Sequence, residues 1–404
     1  MNYKNIFEEE LKRIENSNTF KYETPLESAQ SGEVKVNKKN VVMLASNNYL
    51  GMSNNKFVKK GAINGIKKYG YGLASVRFLC GTQTFHLELE KLIANFIGTE
   101  DAILFSSCFA ANNAFFASIT NEKMGYENYR DVIYTDQLNH ASIIDGQRLC
   151  KQETTDKKIY RHNDVDHLNQ LLEDDKNKDY RFRIIATDGV FSMEGEIVHL
   201  DKIINLSKKF NAILFVDDCH GLGVCGKTGR GTSEHFNLLG KIDVISGTLG
   251  KAIGGALGGF IGGKKELITF LRQKARPYIF SNSIPPAVVG GSIAALNLLK
   301  KDKSIVKTLQ KNTNYFRKKI KELGFTIIDG IHPVVPIMLG EAEIAQKMSQ
   351  ELLKQKVYVK GLWFPVVPKG EARLRVQISA AHSKKNLDNA LKAFKLVGKK
   401  LKLI

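Results

Sequence analysis

Five strand-like runs that alternate with helical stretches limit most strongly what this chain can fold into. They are Ala102–Phe105, Val132–Tyr134, Phe182–Ala186, Ala212–Val216 and Asp243–Gly247. Apolar runs of this length are typical of strands that are buried on both faces of a parallel sheet. Strands that alternate with helices form α/β folds, because each helix crosses over the sheet between two parallel strands. The pattern therefore predicts a doubly wound α/β fold with a mainly parallel sheet.

The character of the chain changes after the Pro285-Pro286 pair. Lysine-rich amphipathic patterns there predict long helices, and short β-rich runs follow them. The predicted helices are at about Ala287–Lys300, Ser304–Leu323 and Leu387–Leu401, and the predicted strands are Thr326–Ile328, Val334–Met338 and Arg373–Ile378. We therefore divide the 404 residues into an N-terminal extension (1–50), a large domain (51–290) and a small α+β domain (291–404).

The charge of the chain is high, but its distribution is ordinary. A net charge of +19 at pH 7 would favour polyanions as partners, yet the lysines are dispersed and form no basic strip interleaved with aromatic residues. No apolar run approaches the ~20 residues that span a bilayer. The first ten residues are partly acidic and have no apolar signal core. We therefore expect neither nucleic acid nor a membrane as a partner.

The cysteines indicate neither disulfides nor a metal site. There are five of them, widely spread and without a Cys-x-x-Cys pair, so a cytoplasmic setting is the simplest. Cys219, His220 and Cys225 lie close together in the sequence. Their spacing fits no zinc template well.

Lys251 stands in an unusual setting. It is flanked by Gly247, Gly250, Gly254, Gly255, Gly258 and Gly259. Glycine lets a backbone or a planar ligand approach closely. A lysine that is shielded from water can lose its proton and act as a nucleophile. Lys251 is therefore a candidate for covalent attachment to a ligand.

The residues that follow the predicted strands should share one rim, because open parallel sheets bind ligands at the carboxyl ends of their strands. These segments are Ser106–Phe109, Asp136–His140, Thr187–Ser192, Asp217–His220 and Thr248–Lys251. They offer phosphate-binding amides, imidazole, hydroxyl, carboxylate and amine groups, a set that suits pyridoxal phosphate. Lys251 would hold the aldehyde, and Asp217 would keep the pyridine nitrogen protonated so that the ring can accept electrons.

Further roles follow for the other groups on this rim. His140 could stack on the ring, and His220 could bond its phenolic oxygen. The amides of Ser107–Phe109 and the hydroxyl of Thr248 would hold the phosphate. Taken singly, each residue also has an ordinary structural explanation: a strand-end aspartate often caps a helix, and Asp218 is as well placed for that as its neighbour. The prediction rests on the ordered combination.

Two glycine motifs suggest other functions. Gly221–Gly226 matches G-x-G-x-x-G after a strand, which would indicate an NAD-dependent dehydrogenase. However, Lys227–Thr232 continues with two more glycines where a dinucleotide-binding helix should begin. The Gly250-Lys251 pair is not the end of a P-loop, because Ala252 stands where Ser or Thr is required. Neither motif displaces the pyridoxal phosphate prediction.

At this point the sequence resembles a known group of enzymes. Asp217–Gly221 and Ser246–Ala252 resemble the α-oxoamine synthases, fold-type I pyridoxal-phosphate enzymes that condense an amino acid with an acyl-CoA. Other segments resemble one branch, the glycine C-acetyltransferases or 2-amino-3-ketobutyrate coenzyme A ligases. They are Ala74–Gln83, Ser106–Phe109, Leu138–Gly146 and Arg276–Ser283. The similarity extends from about residue 20 to the end of the chain. It implies a mainly parallel seven-stranded sheet in the large domain.

The resemblance also implies a role for each matching residue. Lys251 matches the Schiff-base lysine, and Asp217 matches the partner of the pyridine nitrogen. His140 matches the stacking ring, and His220 the contact to the phenolic oxygen. The remaining matches are Cys108, Phe109 and Thr248, which would line the phosphate, and Ser192, which would lie beside the cofactor.

Substrates and assembly are implied in the same way. Asn47 and Arg375 would bind the substrate carboxylate, a task that suits a guanidinium. Ser281 would reach the phosphate of the neighbouring subunit, which implies a homodimer with shared active sites. The substrates would be glycine and acetyl-CoA, or 2-amino-3-oxobutyrate and CoA in reverse. This reaction belongs to threonine breakdown and implies a functional link to a threonine dehydrogenase.

The sequence also departs from this branch. Ala110 stands where the branch usually has Asp, residues 121–130 look like an insertion, and Cys219 and Gly221 replace Ser and Ala. None of these changes removes a catalytic group, but they leave the acyl specificity open, with 8-amino-7-oxononanoate synthase as the alternative. That branch usually has Arg shortly before a Pro-x-Val-Pro segment, where this chain has Leu362–Phe364. The difference favours the acetyl-using branch.

Overall fold

The structure is a computed structural model that describes residues 2–17 and 19–404. Its strands are β1 (Glu33–Val36), β2 (Lys39–Met43), β3 (Asp101–Phe105), β4 (Asp131–Asp136), β5 (Thr155–Tyr160), β6 (Arg183–Asp188), β7 (Ile213–Asp217), β8 (Val244–Thr248), β9 (Gly259–Gly263), β10 (Val334–Gly340), β11 (Val357–Tyr358), β12 (Lys360–Leu362) and β13 (Ala372–Gln377). Its helices are α1 (Tyr3–Asn16), α2 (Lys56–Tyr69), α3 (Thr84–Ile97), α4 (Cys108–Asn121), α5 (Ala141–Arg148), α6 (Val165–Asp174), α7 (Leu200–Lys209), α8 (Thr232–His235), α9 (Lys265–Lys274), α10 (Arg276–Ile279), α11 (Pro286–Lys301), α12 (Ser304–Glu322), α13 (Ala342–Lys354) and α14 (Lys384–Lys400).

A sheet of seven strands lies at the centre of the molecule, in the order β3-β9-β8-β7-β6-β4-β5. Neighbours from β8 to β5 are parallel, and β9 runs antiparallel to both β3 and β8. The five strand-like runs of the sequence are β3, β4, β6, β7 and β8. The prediction of an α/β fold with a mainly parallel seven-stranded sheet is therefore confirmed.

Both faces of this sheet are buried beneath helices. In β7, Leu214 and Val216 belong to one hydrophobic cluster and Phe215 to another. Phe215 stacks on Phe115 of α4, with ring centroids 4.7 Å apart. Side chains alternate between the two faces of a strand, so a strand covered on both faces must be apolar throughout. This explains why the runs are continuous in the sequence.

Two small sheets complete the fold. β1, β2 and β11 form one sheet, which joins N-terminal and C-terminal residues, and β10, β13 and β12 form the other. The predicted helices of this region correspond to α11, α12 and α14, and two of its predicted strands to β10 and β13. The domain boundaries at residues 50 and 290 stay a prediction.

The predicted strand Thr326–Ile328 is wrong, because the segment forms only an isolated bridge between Ile327 and Ile337. The amide of Ile328 donates to Pro336, but proline has no N–H to return the bond. Arg317 donates to the carbonyl of Ile328 instead, at 2.9 Å.

The remaining sequence motifs can also be placed. Gly221–Gly226 follows β7 as a series of turns, and the next helix begins only at Thr232, so this described stretch lacks the helix that dinucleotide binding requires. Among the described residues, none of the helices combines the length and apolar character needed to cross a membrane.

Candidate active site

Eight of the twelve predicted site residues line one cavity at the carboxyl ends of the central strands. They are Ser107, Cys108, Phe109, His140, Asp217, His220, Thr248 and Lys251, around a volume of about 210 Å³. The cavity is also lined by residues that were assigned no role, namely Ser142, Asp188, Val190 and Cys219. Within the described part of the chain, the Lys251 amine has no hydrogen-bond or ion-pair partner. The structure therefore places these eight side chains together, as the strand-end argument predicts, while their roles stay a prediction.

Asp217 is held firmly at the end of β7. Its Oδ2 accepts a hydrogen bond of 2.6 Å from the side-chain amide of Asn112 in α4, and its Oδ1 accepts one of 3.0 Å from the backbone of Cys219. Only 4 % of the residue is exposed. These bonds fix the carboxylate before any ligand arrives. Asn112 lies 105 residues away in the sequence, where no local pattern points to it.

A second carboxyl group lies beside it on β6. Burial, and then the charge of Asp217, raise the pKa of Asp188 well above its ordinary range. Oδ2 of Asp188 accepts a hydrogen bond from the backbone of His140 at 3.1 Å, while its buried Oδ1 has no partner among the described residues. Asp188 and Asp217 therefore lie side by side on neighbouring strands at this edge of the sheet.

Asp218 faces away from this pair. Its Oδ2 accepts a hydrogen bond of 2.8 Å from the backbone of Thr232. Asp218 thus provides a hydrogen-bond acceptor for a backbone N–H at the start of α8, which is the structural role considered for it in the sequence. It does not line the cavity.

His140 is presented as a neutral imidazole with a defined tautomer. Burial is the main cause that lowers its pKa. Its Nδ1 accepts a hydrogen bond of 3.2 Å from the backbone N–H of Ser142 and also contacts the Ser142 hydroxyl at 2.7 Å. Because a backbone N–H can only donate, Nδ1 is the acceptor, and we assign the ring proton to Nε2. The ring meets Phe109 edge to face, with centroids 6.4 Å apart.

His220 is held by a tyrosine to which the sequence analysis gave no role. Its Nδ1 lies 2.8 Å from the hydroxyl of Tyr49, which also lies 3.2 Å from Oδ1 of Asn47. Burial, and then the charge of Lys251, lower the pKa of His220 well below its usual value, so the ring is neutral. Tyr49 lies 171 residues away and belongs to the segment that supplies Asn47. It links the cofactor side of the site to the predicted substrate side.

Asn47, Ser192 and Arg375 form a cluster of their own beside the cavity. Arg375 donates to the carbonyl of Ser192 at 2.6 Å and to Oδ1 of Asn47 at 3.4 Å. The side-chain amide of Gln377 also donates to Oδ1 of Asn47. The charge of Arg375 contributes to the lowered pKa values of His140 and His220. The cluster is therefore electrostatically coupled to the cavity without lining it.

The predicted phosphate ligands are partly engaged within the protein. The Ser107 hydroxyl caps α4 by accepting from Ala110 at 3.0 Å, so this side chain positions the helix. The amides of Cys108 and Phe109 stand in the first turn, where N–H groups have no partner within the helix. The Thr248 hydroxyl donates to the carbonyl of Gly258 at 3.2 Å. Anion binding therefore falls mainly to the backbone at the start of α4.

Ser281 does not line this cavity. It follows α10, next to the exposed Phe280, and lines a separate small pocket with Arg77 and Tyr278. Its predicted role toward a neighbouring subunit stays a prediction.

The glycines around the candidate lysine make room mainly for other parts of the protein. A Cβ added at Gly259 would lie 2.2 Å from the backbone nitrogen of Cys108. At Gly247 it would lie 2.4 Å from the Phe260 ring. Gly258 has a φ of +108°, a conformation that favours glycine. Gly247 and Gly259 are thus explained by close packing against Phe260 and the start of α4, without a ligand.

We expect Gly259→Ala to lower the free energy of unfolding by ~1–3 kcal/mol, the typical cost of overpacking, because the methyl group would push against the start of α4. Urea unfolding measures this effect. Gly72→Ala is the matched control, since a Cβ there meets nothing within 4 Å. Equal stability of the two variants would contradict the prediction.

A partly buried ion-pair cluster lies at the end of the neighbouring strand β4. Nδ1 of His162 lies 3.1 Å from Asp136, and its Nε2 lies 3.3 Å from Glu196. Burial opposes the charge on the ring, but the two carboxylates outweigh it and raise the pKa of His162 from 6.5 to about 9. The folded protein therefore holds this proton more tightly than the unfolded chain does.

This cluster predicts a loss of stability at alkaline pH. The contribution of His162 is fully present below about pH 6.5 and is lost as the pH rises through about 9. A shift of this size corresponds to ~3 kcal/mol. Urea unfolding at pH 6 and at pH 9.5 should show a larger loss in the native protein than in His162→Gln. An equal loss of stability in the two proteins would show that His162 does not cause the alkaline destabilisation.

The groups around the cavity fit pyridoxal phosphate. Asp217 can pair with a protonated pyridine nitrogen, Lys251 can bond to an aldehyde, and the start of α4 can bind a phosphate. The unpaired Oδ1 of Asp188 leaves a polar group on the cavity wall for a ligand. The fold and the site together define a pyridoxal-phosphate-dependent enzyme of fold type I.

Comparisons with known proteins agree with this class. The chain matches the family described as aminotransferase class I and II over residues 39–394. It is 43% identical to the 2-amino-3-ketobutyrate coenzyme A ligase of Escherichia coli (strain K12), over 95% of this chain and 94% of that protein. The chain belongs to this aminotransferase family and, within it, to the α-oxoamine synthases.

Two further relatives bear on the cofactor and the specificity. The chain is 42% identical to the 8-amino-7-oxononanoate synthase of Thermoanaerobacter pseudethanolicus, over 99% of this chain and 98% of that protein. A structure of serine palmitoyltransferase from S. paucimobilis, which carries bound pyridoxal phosphate with myriocin, superposes with a TM-score of 0.90 at 28% identity, over 98% of both chains. Pyridoxal phosphate is therefore the cofactor of this protein.

Proposed function

We propose that this chain is a glycine C-acetyltransferase, which condenses glycine with acetyl-CoA to 2-amino-3-oxobutyrate and CoA and also runs in reverse. The observation that carries the proposal is the cavity that joins Lys251, Asp217 and His140, in a chain 43% identical to a 2-amino-3-ketobutyrate coenzyme A ligase. Pyridoxal phosphate supplies an electron-accepting ring that stabilises negative charge at the α-carbon of the substrate.

The charged residues have separate tasks in this reaction. Lys251 would bind the aldehyde of the cofactor, and its amine, when free, would remove a proton from the α-carbon of glycine. Asp217 holds the proton on the pyridine nitrogen, which is why its two fixed hydrogen bonds matter. Arg375 and Asn47 orient the glycine carboxylate.

The two histidines act as neutral groups. With its ring proton on Nε2, His140 can stack on the cofactor and donate that proton to the thioester oxygen of acetyl-CoA. His220, fixed through Tyr49, is proposed to contact the phenolic oxygen. Cys108, Phe109 and the cavity side of the loop after Thr248 would surround the phosphate, with Ser192 beside the ring.

A homodimer with shared active sites is part of the proposal. Ser281 lies outside the cavity of its own chain, and the adjoining Phe280 is 67% exposed. Helix α1 buries none of its residues, although Tyr3 and Phe7 are apolar. Exposed aromatic side chains of this kind are suited to an interface between subunits.

We also propose a setting for the enzyme. The five free cysteines favour a reducing cytoplasm. Its place would be threonine breakdown, where a threonine dehydrogenase supplies the ketoacid that the reverse reaction cleaves with CoA.

Release of the CoA thiol tests the substrates. We expect faster thiol release with glycine plus acetyl-CoA than with alanine plus a long-chain acyl-CoA, followed with a thiol-reactive dye. Cys80 is exposed and will react with the dye, so the rate without amino acid is subtracted. A preference for the second pair would reassign the chain to another branch of the α-oxoamine synthases, such as the 8-amino-7-oxononanoate synthases to which its 42% identical relative belongs.

A further inference from the structure

Two thiols and a carboxylate meet in the wall of the cavity. Sγ of Cys108, a carboxylate oxygen of Asp217 and Sγ of Cys219 all lie within 4.8 Å of one another. They come from the start of α4, the end of β7 and the loop that follows it. Their exposed fractions are 8%, 4% and 7%. This group is distinct from Cys219, His220 and Cys225, which the sequence places together.

The sequence-local alternative does not assemble in the structure. Cys225 packs in the large hydrophobic cluster, and Nδ1 of His220 is taken by Tyr49. The group in the structure instead includes Cys108, which lies 109 residues before Asp217 in the sequence. The second thiol, Cys219, stands where the resembling branch usually has serine. The trio therefore combines a residue distant in the sequence with one at which the chain departs from the usual residue of that branch.

The carboxylate of this trio is already oriented. Asn112 and the backbone of Cys219 each bind one of its oxygens, and Sγ of Cys108 lies 3.9 Å from Oδ2. Sγ of Cys108 also lies 3.7 Å from Oδ1 of Asn112. Outer hydrogen bonds of this kind fix metal ligands in most protein sites and typically change affinity by ~10–100-fold.

We propose that Cys108, Asp217 and Cys219 form a binding site for a thiophilic divalent cation of the Zn²⁺ type. Two cysteine sulfurs and a carboxylate oxygen are ligands that zinc accepts, and water from the cavity would supply the fourth. Two sulfurs on a tetrahedral zinc ion lie ~3.8 Å apart. Small rotations of the side chains bring the trio to that geometry from separations within 4.8 Å.

The cation and the cofactor exclude each other. This step rests on the proposed role of Asp217, because a metal cation on its carboxylate would repel the protonated pyridine nitrogen that the same carboxylate is proposed to bind. All three metal ligands line the cavity, so a cation can reach them only before the cofactor fills it. The site thus makes the loading of the enzyme with cofactor sensitive to thiophilic metal ions.

A disulfide between Cys108 and Cys219 is the rival explanation of the paired thiols. Its formation would remove two protons and two electrons and would require an oxidant, which neither the structure nor the proposed reaction supplies. A disulfide would also involve only the two thiols and not the carboxylate that lies within 4.8 Å of both. The metal site accounts for all three groups.

Cobalt titration of the cofactor-stripped full-length protein tests the site without measuring activity. We expect one Co²⁺ per chain, with a sulfur-to-cobalt charge-transfer band in the near ultraviolet that one equivalent of Zn²⁺ removes. Cys108→Ser and Cys219→Ser should each weaken binding by more than ~10–100-fold, the effect of losing an outer partner alone. Cys225→Ser, which changes a buried thiol outside the trio, should bind like the native protein.

Several results would overturn the proposal. Cobalt binding without the sulfur band, or undiminished binding by Cys219→Ser, excludes the trio as ligands. Thermal melting and pyridoxal phosphate binding by Cys219→Ser show whether that variant is folded. A loss of two titratable thiols under air, restored by a reductant and independent of metal, would identify the disulfide instead.

Adding pyridoxal phosphate to the zinc-loaded protein tests mutual exclusion. We expect the visible cofactor band to develop only after a chelator is added. Its appearance at the same rate with zinc bound would refute the exclusion. A metal-free protein that takes up no cofactor at all would contradict the proposed function instead, while the cobalt titration would stand.

Discussion

Alanine in place of Lys251 is expected to leave the reconstituted protein without the visible absorption band of lysine-bound pyridoxal phosphate. Lys251 is the amine of the cavity, so its loss removes both the covalent bond to the cofactor and the base that takes the α-proton. Thiol release should fall on the order of 10⁴-fold or more, as it does when a central nucleophile or base is removed from other enzymes. Absorption spectra and the thiol assay measure the two effects.

Lys264→Ala is the matched control for this change. Lys264 follows β9, its side chain is 70% exposed, and its ion pair with Glu100 is long, at 3.9 Å. This variant should keep both the band and the rate. A coloured and active Lys251→Ala protein would refute the proposed attachment site.

The sequence predicts the central strands because burial on both faces requires continuous apolar runs. This argument does not predict β9, because its sequence Gly-Phe-Ile-Gly-Gly is rich in glycine, which is uncommon in strands. Its glycines are needed because Ile97 and the start of α4 pack against the strand. Close packing of this kind depends on the assembled fold and leaves no periodic pattern.

The edge strand β5 is not predicted from the sequence either, because much of it is exposed. It pairs only with β4, and only its first and last residues, Thr155 and Tyr160, are buried, while the four between them are partly or fully exposed. Its two lysines therefore make it look like a surface segment. A strand with one neighbour needs less apolar surface than a central one.

The residues of the site also divide into those that the sequence predicts and those that it does not. Lys251, Asp217 and His140 follow predicted strands, so the order of elements is enough to bring them together. The groups that set their states come from elsewhere: Asn112 orients the carboxylate, and Tyr49 holds His220. These contacts join residues far apart in the sequence, and their hydrogen-bond geometry depends on the packing of whole helices. Sequence patterns therefore locate the reactive groups but not the partners that tune them.

Substitution of Asp217 by asparagine is expected to reduce turnover by ~10²- to 10⁴-fold while the fold is retained. Asparagine has nearly the same shape and can still accept one hydrogen bond from Asn112 or the Cys219 backbone. It has no charge to hold the proton of the pyridine nitrogen. Loss of one partner of a buried charge pair typically costs ~3–5 kcal/mol, and such a loss in the transition state corresponds to the stated fall in rate.

Asp218→Asn separates charge at the site from general damage to this region. Asp218 is equally buried at the end of the same strand, but its carboxyl accepts from Thr232 outside the cavity, a bond that asparagine can keep. Burial also raises its pKa to about 7, so the native group is already partly neutral at that pH. We expect this variant to lose less than ~10-fold in thiol release, with both variants compared at matched thermal stability. Equal losses in the two variants would show that Asp217 contributes to the fold of this strand end rather than to the cofactor.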